Sequence, residues 1–81
     1  MRFTVLFFAQ ARERAGRPHA IFEVPDGSRV SDAVAAIRSD YPQLDDLWPH
    51  LAVAVDGVLA PENAALRDGA EVALLPPVSG G

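Results

Sequence analysis

The chain has 81 residues, a formal net charge of −4 and no cysteine. A chain this short forms one small domain that buries only about 60 to 65% of the surface of its unfolded state, which leaves no room for a deep substrate cleft. The acidic balance argues against nucleic acid and anionic membranes as partners, and the absence of cysteine excludes disulfides and thiolate metal sites. The apolar run at residues 3–9 is too short for a signal sequence or a membrane span, so we expect a cytoplasmic protein.

Two strands are predicted at the start of the chain. Residues 2–9 are rich in aromatic and β-branched side chains, which favour a strand. The polar stretch at residues 10–18 is predicted to be a loop, and residues 20–24 alternate as a second strand until the turn signal Pro25-Asp26-Gly27. Together these segments predict a hairpin with a long connection.

One main helix is predicted over residues 30–41. We expect Ser28 or Ser31 to cap its first turn, and Pro42 to end it because proline disfavours helical geometry at the preceding residue. The apolar residues recur at the spacing of one helical face, at Val30, Ala33, Val34, Ile37 and Tyr41.

Three further strands are predicted in the second half of the chain, at residues 51–55, 58–60 and 71–75. Asp56-Gly57 makes the tight turn between the first two of them. Trp48, in the loop that precedes them, is expected to anchor that loop against the core. The predicted fold class is α+β, with a mixed sheet of four to five strands and one main helix on one face.

Strand parity separates a core face from a second face. In the first strand it places Phe3, Val5 and Phe7 inside and leaves Leu6 and Phe8 outside, and in the last strand it places Val72 and Leu74 inside and Glu71, Ala73 and Leu75 outside. One helix can cover only one face, so Phe8, Leu59 and Leu75 are predicted to form an uncovered apolar patch, which usually marks a protein interface. The alternative is that the Trp48 loop folds over this patch.

The last residues of the sequence have no role in a core. Pro76-Pro77 ends the final strand because proline cannot donate to a ladder, and Gly80-Gly81 contributes no side chain to bury. We therefore divide the chain into a globular domain at residues 1–76 and an extended tail at residues 77–81. This division makes the Gly81 carboxylate the candidate reactive group.

The sequence resembles the small subunit of molybdopterin synthase, a sulfur carrier of the ubiquitin-like β-grasp superfamily. The terminal Pro76-Pro77-Val78-Ser79-Gly80-Gly81 is the most specific part, since related thiamine-pathway carriers usually lack the Pro-Pro approach. The likeness also rests on Leu6-Phe7-Phe8-Ala9, Arg12-Glu13, Gly16, Val55-Asp56-Gly57, Leu66, Asp68-Gly69 and Glu71-Val72-Ala73. It covers essentially the whole chain, although the helix and the Trp48 region match only in pattern.

The resemblance implies a mechanism that centres on Gly81. An E1-like adenylyltransferase uses ATP to convert the Gly81 carboxylate to an acyl adenylate, and sulfur from a sulfur donor protein then replaces AMP. The resulting thiocarboxylate donates sulfur to a pterin precursor in the large subunit of a heterotetrameric synthase. Pro77, Val78, Ser79 and Gly80 thread the tail into that subunit, and the small subunit binds no permanent cofactor and no metal.

Other functions remain open at this point. The chain could be a ubiquitin-like protein modifier, a sulfur carrier of another pathway such as thiamine synthesis, or an interaction module in which Gly-Gly is incidental. Enzymatic activity of the chain alone is the weakest hypothesis, because His19 and His50 have no matching nucleophile and the pair Asp45-Asp46 is typical of a solvated loop. The Arg12-Glu13-Arg14 run is also expected in a solvated loop, although the family resemblance leaves a role in partner docking open. All seven basic residues are arginine, so no lysine could attack an activated Gly81.

Overall fold

A computed structural model describes residues 1–77 of the chain, and positions 78–81 of the predicted tail lie outside the described residues. The strands are β1 (Arg2–Phe7), β2 (His19–Glu23), β3 (Ala52–Val55), β4 (Val58–Leu59) and β5 (Ala70–Leu75). The helices are α1 (Ala9–Ala15) and α2 (Val30–Asp40), with short 3-10 helices at Pro42–Leu44 and Trp48–His50. The predicted order of strands and main helix is confirmed.

The five strands form one mixed sheet in the order β2-β1-β5-β3-β4. β1 and β5 are parallel, and the other three neighbouring pairs are antiparallel. The predicted hairpin of β1 and β2 is therefore present, with Arg2 opposite Glu23. Because β5 is inserted between β1 and β3, the last strand of the chain occupies the centre of the sheet.

The predicted core face is confirmed by burial. Phe3 and Val5 are fully buried and Phe7 is 2% exposed, while Val72 and Leu74 on β5 are fully buried beside them. Each such side chain contributes on the order of 1.5–3 kcal/mol by leaving water. Ala33 and Ile37 cover this face from α2 and belong to the same cluster.

The segment predicted as a loop at residues 10–18 contains α1, so that prediction is wrong. Only Ala11 of this seven-residue helix is buried, which is too little to produce a helical periodicity in the sequence. Gly16 ends the helix with a φ of 79° and donates its N–H to the Arg12 carbonyl. The sequence did contain a signal for this helix: a run of good helix formers followed by a glycine, the residue that most often ends a helix in the left-handed conformation. The Arg12-Glu13-Arg14 run therefore lies on a helix.

The expected serine cap of α2 is also wrong. The Arg29 backbone N–H donates to Asp32 Oδ2 at 2.8 Å, whereas the Ser28 hydroxyl donates to the Pro25 carbonyl and Ser31 lies inside the first turn. The first helical N–H groups, of residues 30 and 31, donate to backbone carbonyls of residues 64 and 62. A distant segment thus supplies the acceptors that a serine hydroxyl was expected to supply. The helix ends at Asp40, one residue before the predicted Tyr41.

Trp48 anchors its segment against the core as predicted, although the segment forms 3-10 turns. The Arg38 guanidinium from α2 lies 5.5 Å from the centre of the indole ring. Trp48 also lines a groove with Val34 of α2 and Val53 of β3, so it lies on the side of the sheet that α2 covers. The alternative in which the Trp48 loop covers Phe8, Leu59 and Leu75 is therefore wrong.

Candidate functional site

The predicted tail leaves from the middle of the sheet. β5 ends at Leu75, between the end of β1 and the start of β3, because Phe7 pairs with Leu74 and Ala52 pairs with Leu75. Pro76 is half-buried and Pro77 is exposed. The division into residues 1–76 and 77–81 remains a prediction, as do the roles of Pro77 and of the four residues after it.

The sheet face opposite α2 carries apolar side chains, and its large residues Phe8, Ile21 and Leu59 are exposed. We call this surface the open face. The register aligns Leu6, Ala73, Ala54 and Leu59 side by side on four strands, and His19 of β2 ends this row. The next row contains Ala52 and Leu75. The open face is lined by Leu6, Phe8, Ile21, Ala52, Ala54, Leu59, Ala73 and Leu75.

The three residues predicted as a partner interface all belong to the open face. Phe8 is 44% exposed and Leu59 is 68% exposed, while Leu75 is half-buried. Phe8 keeps extended backbone angles after β1, so it continues the outward side of that strand and lies in the row of Leu75. Exposed apolar side chains next to the tail base are what a docking surface requires. Their role as an interface remains a prediction.

Sequence reasoning missed part of the open face. Ile21 is 62% exposed on β2. Ala54, which is 5% exposed, and the half-buried Ala73 lie between the larger Leu6 and Leu59 and form a flat floor. The alternation along β2 could have placed Ile21 on the outer face, because its neighbours in the strand, the buried Ala20 and the partly buried Phe22, face the core. The alanine floor could not be found in this way, because it depends on which strands are neighbours.

One end of the open face is polar. Glu71 follows Ala73 outward on β5, and Asp56 lies opposite it in the β3–β4 turn. The Glu71 backbone N–H donates to Asp56 Oδ1 at 3.0 Å, and this bond, together with the Arg67 guanidinium, holds the pKa of Asp56 below its ordinary value of 3.8. The charged groups thus lie at the start of β5, in the row that also contains Thr4 and Ile21, while the other apolar residues of the open face lie nearer the end of β5, where the tail leaves.

Helix α1 is fixed beside the tail base. Arg14 Nη1 donates to Asp46 Oδ1 at 2.6 Å, which ties α1 to the segment between the 3-10 helices and holds the pKa of Asp46 below its ordinary value. Ala9 begins the helix with a φ of 49°, a left-handed conformation that is strained for alanine. This kink lets Phe8 face outward while Ala11 enters the core.

Residues 1–77 offer no alternative site of the kinds that the sequence raised. Within this range, no group of three or more His, Cys, Asp or Glu side chains lies close enough to hold a metal ion. Asp45 and Asp46 are exposed, and Asp46 pairs with Arg14. His19 and His50 are exposed and lie on different elements, β2 and the second 3-10 helix. No helix of the described residues is long and apolar enough to cross a membrane.

Comparison with known proteins decides the family. Residues 5–81 match the family model described as the ThiS family. The chain belongs to the ThiS family. It is 40% identical over 83 residues to the molybdopterin synthase sulfur carrier subunit of Chlamydomonas reinhardtii, and this alignment covers all of both chains. The predicted resemblance to the small subunit of molybdopterin synthase is confirmed.

Solved structures of similar proteins confirm the fold. The crystal structure of SAMP1 from Haloferax volcanii is 34% identical, with a TM-score of 0.89 over all of both chains. SAMP1 is named a small archaeal modifier protein. A chain in the complex of subunits 1 and 2 of the molybdopterin-converting factor from Helicobacter pylori is 27% identical, with a TM-score of 0.75 and full coverage of both chains. This ThiS family chain therefore has the ubiquitin-like β-grasp fold that the sequence predicted.

Proposed function

We propose that this ThiS family chain is the sulfur carrier subunit of a molybdopterin synthase. The observation that carries the proposal is the alignment, over all of both chains, with a relative whose name states that role. The position of β5 supports it, because the strand brings Pro76 and Pro77 out of the sheet centre beside the open face. A carrier needs a group that enters another protein and a surface that positions that group. The end of the sheet where β5 stops provides the base of the tail and, beside it, the open face.

The Gly81 carboxylate is activated before it carries sulfur. An α-carboxyl group with a pKa of roughly 3.5 is ionised at neutral pH and is a poor electrophile. An adenylyltransferase joins a carboxylate oxygen to the α-phosphorus of ATP and releases pyrophosphate. A sulfur donor protein then provides a persulfide, whose terminal sulfur attacks the acyl carbon while AMP leaves, which forms an acyl disulfide. A thiol then attacks the donor-side sulfur of the S–S bond, which frees the thiocarboxylate and leaves the donor in a disulfide with that thiol.

The thiocarboxylate sulfur then acts as the nucleophile toward a pterin precursor bound to the large subunit. The four residues beyond Pro77 reach at most about 14 Å, so the large subunit must dock close to the tail base. Glycine at positions 80 and 81 keeps this thread narrow, since a side chain there would widen it. We assign Val78 and Ser79, with Pro77 and Gly80, to the part of the tail that threads into the large subunit.

The large subunit docks on the open face. Phe8, Leu59 and Leu75 supply apolar contacts on this face, and the Phe8 backbone is held in place because its carbonyl accepts the Ala11 N–H at 3.0 Å. The Helicobacter chain with the same fold occurs in a complex of two subunits, which supports such an assembly here. A preformed surface of this kind binds without a cost for ordering its backbone. The reaction takes place in the cytoplasm.

The test is the intact mass of the protein isolated from its own cells. We expect a species in which sulfur replaces one oxygen, located on Gly81 by fragmentation. Loss of this species after deletion of the gene for the adenylyltransferase would support the order of the steps. A mass that always equals that of the free acid, in cells that are making molybdopterin, would contradict the proposal.

A second candidate function is protein modification. The likeness to SAMP1, at 34% identity and a TM-score of 0.89, favours it. A modifier begins with the same adenylate, but its acyl carbon ends on a lysine amine of a target. Extracts from cells that express a tagged chain separate the two functions, because a carrier gives the free thiocarboxylate and a modifier gives conjugates that persist in reducing denaturing gels.

A further inference from the structure

The chain contains no side-chain amine or thiol for an activated carboxyl group to acylate. All seven of its basic side chains are arginines, so lysine is absent, and so is cysteine. Arginine stays protonated at all ordinary pH values and does not act as an amine nucleophile. Amide formation between the activated carboxyl group and a side chain therefore requires a lysine of another protein.

Met1 carries the one primary amine among the described residues, and the fold restrains it. Its ammonium group donates to the Val24 carbonyl at 2.7 Å and to Asp26 Oδ1 at 3.0 Å. The first bond continues the pairing of β1 with β2, since the Val24 N–H donates to the Met1 carbonyl. An amine held in this way must break both bonds before it can attack.

This amine also lies at the wrong end of the sheet. Phe3 pairs with Ala70 at the start of β5, whereas the tail leaves after Leu75, five residues further along. At about 3.4 Å per residue, β5 is about 17 Å long from Ala70 to Leu75. Met1 lies beyond the first end of this distance and Pro77 beyond the second, so the two residues are further apart than that. The four residues after Pro77 reach at most about 14 Å. The Gly81 carboxyl group therefore falls short of the Met1 amine of its own chain.

We propose that this chain passes on its activated C-terminus and accepts none as an amide, because it has no lysine and its Met1 amine is restrained. The inference rests on the proposed activation of Gly81, and it adds that the chain itself presents no free amine to the activated carboxyl group. Attack by an amine would form a C–N bond, break the bond from the acyl carbon to its leaving group and release one proton. Because the chain offers no free amine within reach, the activated form waits for external sulfur. If it also modifies proteins, no lysine-linked polymer of the chain forms on the acceptor, since the chain has no lysine.

The experiment uses the full chain with a thioester installed chemically at Gly81. The protein is incubated in mildly alkaline buffer and followed by intact mass, in which hydrolysis gives the free acid and amide formation gives a ring or a dimer. Wild type should give only the free acid. Added N-acetyl-lysine amide should be captured, which shows that the thioester is reactive.

Two single substitutions test whether the lack of a nearby lysine is what prevents amide formation. Arg17 is exposed next to Pro18, whose carbonyl accepts the N–H of Phe7 at the tail end of β1, so Arg17→Lys places an amine near the tail base. We expect it to give at least about tenfold more intramolecular amide than wild type, as expected for a reactant held nearby. Arg2→Lys is the matched control at the far end of β1, and it should form only dimers.

Two results would overturn the inference. One is a ring or dimer formed by wild type through Met1 at the rate of Arg17→Lys. The other is an Arg17→Lys thioester that hydrolyses as cleanly as wild type, since lysine would then pose no hazard. The thioester is made chemically, so neither result depends on a sulfur-loaded chain in cells. Failure of the carrier proposal would appear only in the cellular mass measurement.

Discussion

Arg67 and Asp56 form a bidentate ion pair that joins the β3–β4 turn to the start of β5. Arg67 Nε donates to Asp56 Oδ2 at 2.8 Å, and Nη2 donates to Oδ1 at 3.1 Å. The Glu71 N–H donates to the same Oδ1, and the Asp56 N–H donates back to the Glu71 carbonyl at 2.9 Å. Asp56 thereby fixes the turn that carries Leu59 onto the open face.

The first prediction concerns this ion pair. Asp56 has a φ of 52°, which asparagine also adopts readily, so Asp56→Asn keeps the turn but loses the charged pairing. We expect Asp56→Asn to lower the melting temperature and Asp56→Ala to lower it further, because alanine tolerates this φ poorly. A double-mutant cycle with Arg67→Gln isolates the pair. Fully additive losses would mean that the two side chains do not interact.

The second prediction concerns acid. Asp56 and Asp46 have folded-state pKa values below their ordinary value of 3.8, because backbone and arginine donors stabilise their charged forms. Their contribution to stability is therefore fully present above pH 3.8 and is lost as the pH falls through the folded-state values. The difference in melting temperature between wild type and Asp56→Asn should shrink below that pH. A difference that stays constant down to acid unfolding would contradict this assignment.

The third prediction separates two neighbouring phenylalanines. Phe7 is 2% exposed in the core and Phe8 is 44% exposed on the open face. Phe7→Ala should cost about 3–5 kcal/mol of unfolding free energy, whereas Phe8→Ala should change it by no more than about 0.5 kcal/mol. Chemical denaturation measures both. Phe8→Glu should abolish binding of the large subunit while the domain stays folded, and full-affinity binding would refute the proposed docking surface.

The fourth prediction uses the matched pair on β4. Val58 and Leu59 are both 68% exposed, but Leu59 pairs with Ala54 of the open face and Val58 pairs with Val55 of the core face. Leu59→Glu should weaken binding of the large subunit at least about tenfold, because it replaces an apolar contact with a charge. A loss of about 1.4 kcal/mol of binding free energy corresponds to that factor. Val58→Glu, with the same charge one residue away, should bind nearly normally. Calorimetry with the purified subunit measures both, and equal losses would point to a general charge effect.

The fifth prediction concerns the tail. Deletion of Gly81 should change the free energy of unfolding by no more than about 0.5 kcal/mol, because it removes no side chain. It should nevertheless abolish product formation, because it moves the reactive group back by about 3.5 Å and displacements of 1 Å can cost about a hundredfold in rate. Gly80→Ala should be intermediate, since it adds one methyl group at full length. Reconstituted synthase with chemically thiocarboxylated chain measures turnover, and near-normal turnover by the deletion would contradict the carrier proposal.

The sequence by itself determined the strands, the main helix and the two faces. Alternation along β1 and β5 identified Phe3, Val5, Phe7, Val72 and Leu74 as core, because side chains of a strand alternate whatever its neighbours are. The same alternation placed Phe8 and Leu75 outside. Pro76-Pro77 marked the end of β5 because proline cannot continue a ladder.

Only the tertiary structure decided which strands are neighbours. The parallel pairing of β1 with β5 joins residues nearly 70 positions apart in the sequence, and it alone brings Phe8 to the tail base and Leu6 beside Ala73. The helix α1 and the cap of α2 depend in the same way on distant partners: the Asp46 carboxylate and the backbone carbonyls of residues 62 and 64. Local patterns report which face a side chain prefers, whereas strand order and tertiary hydrogen bonds depend on the packing of the whole chain.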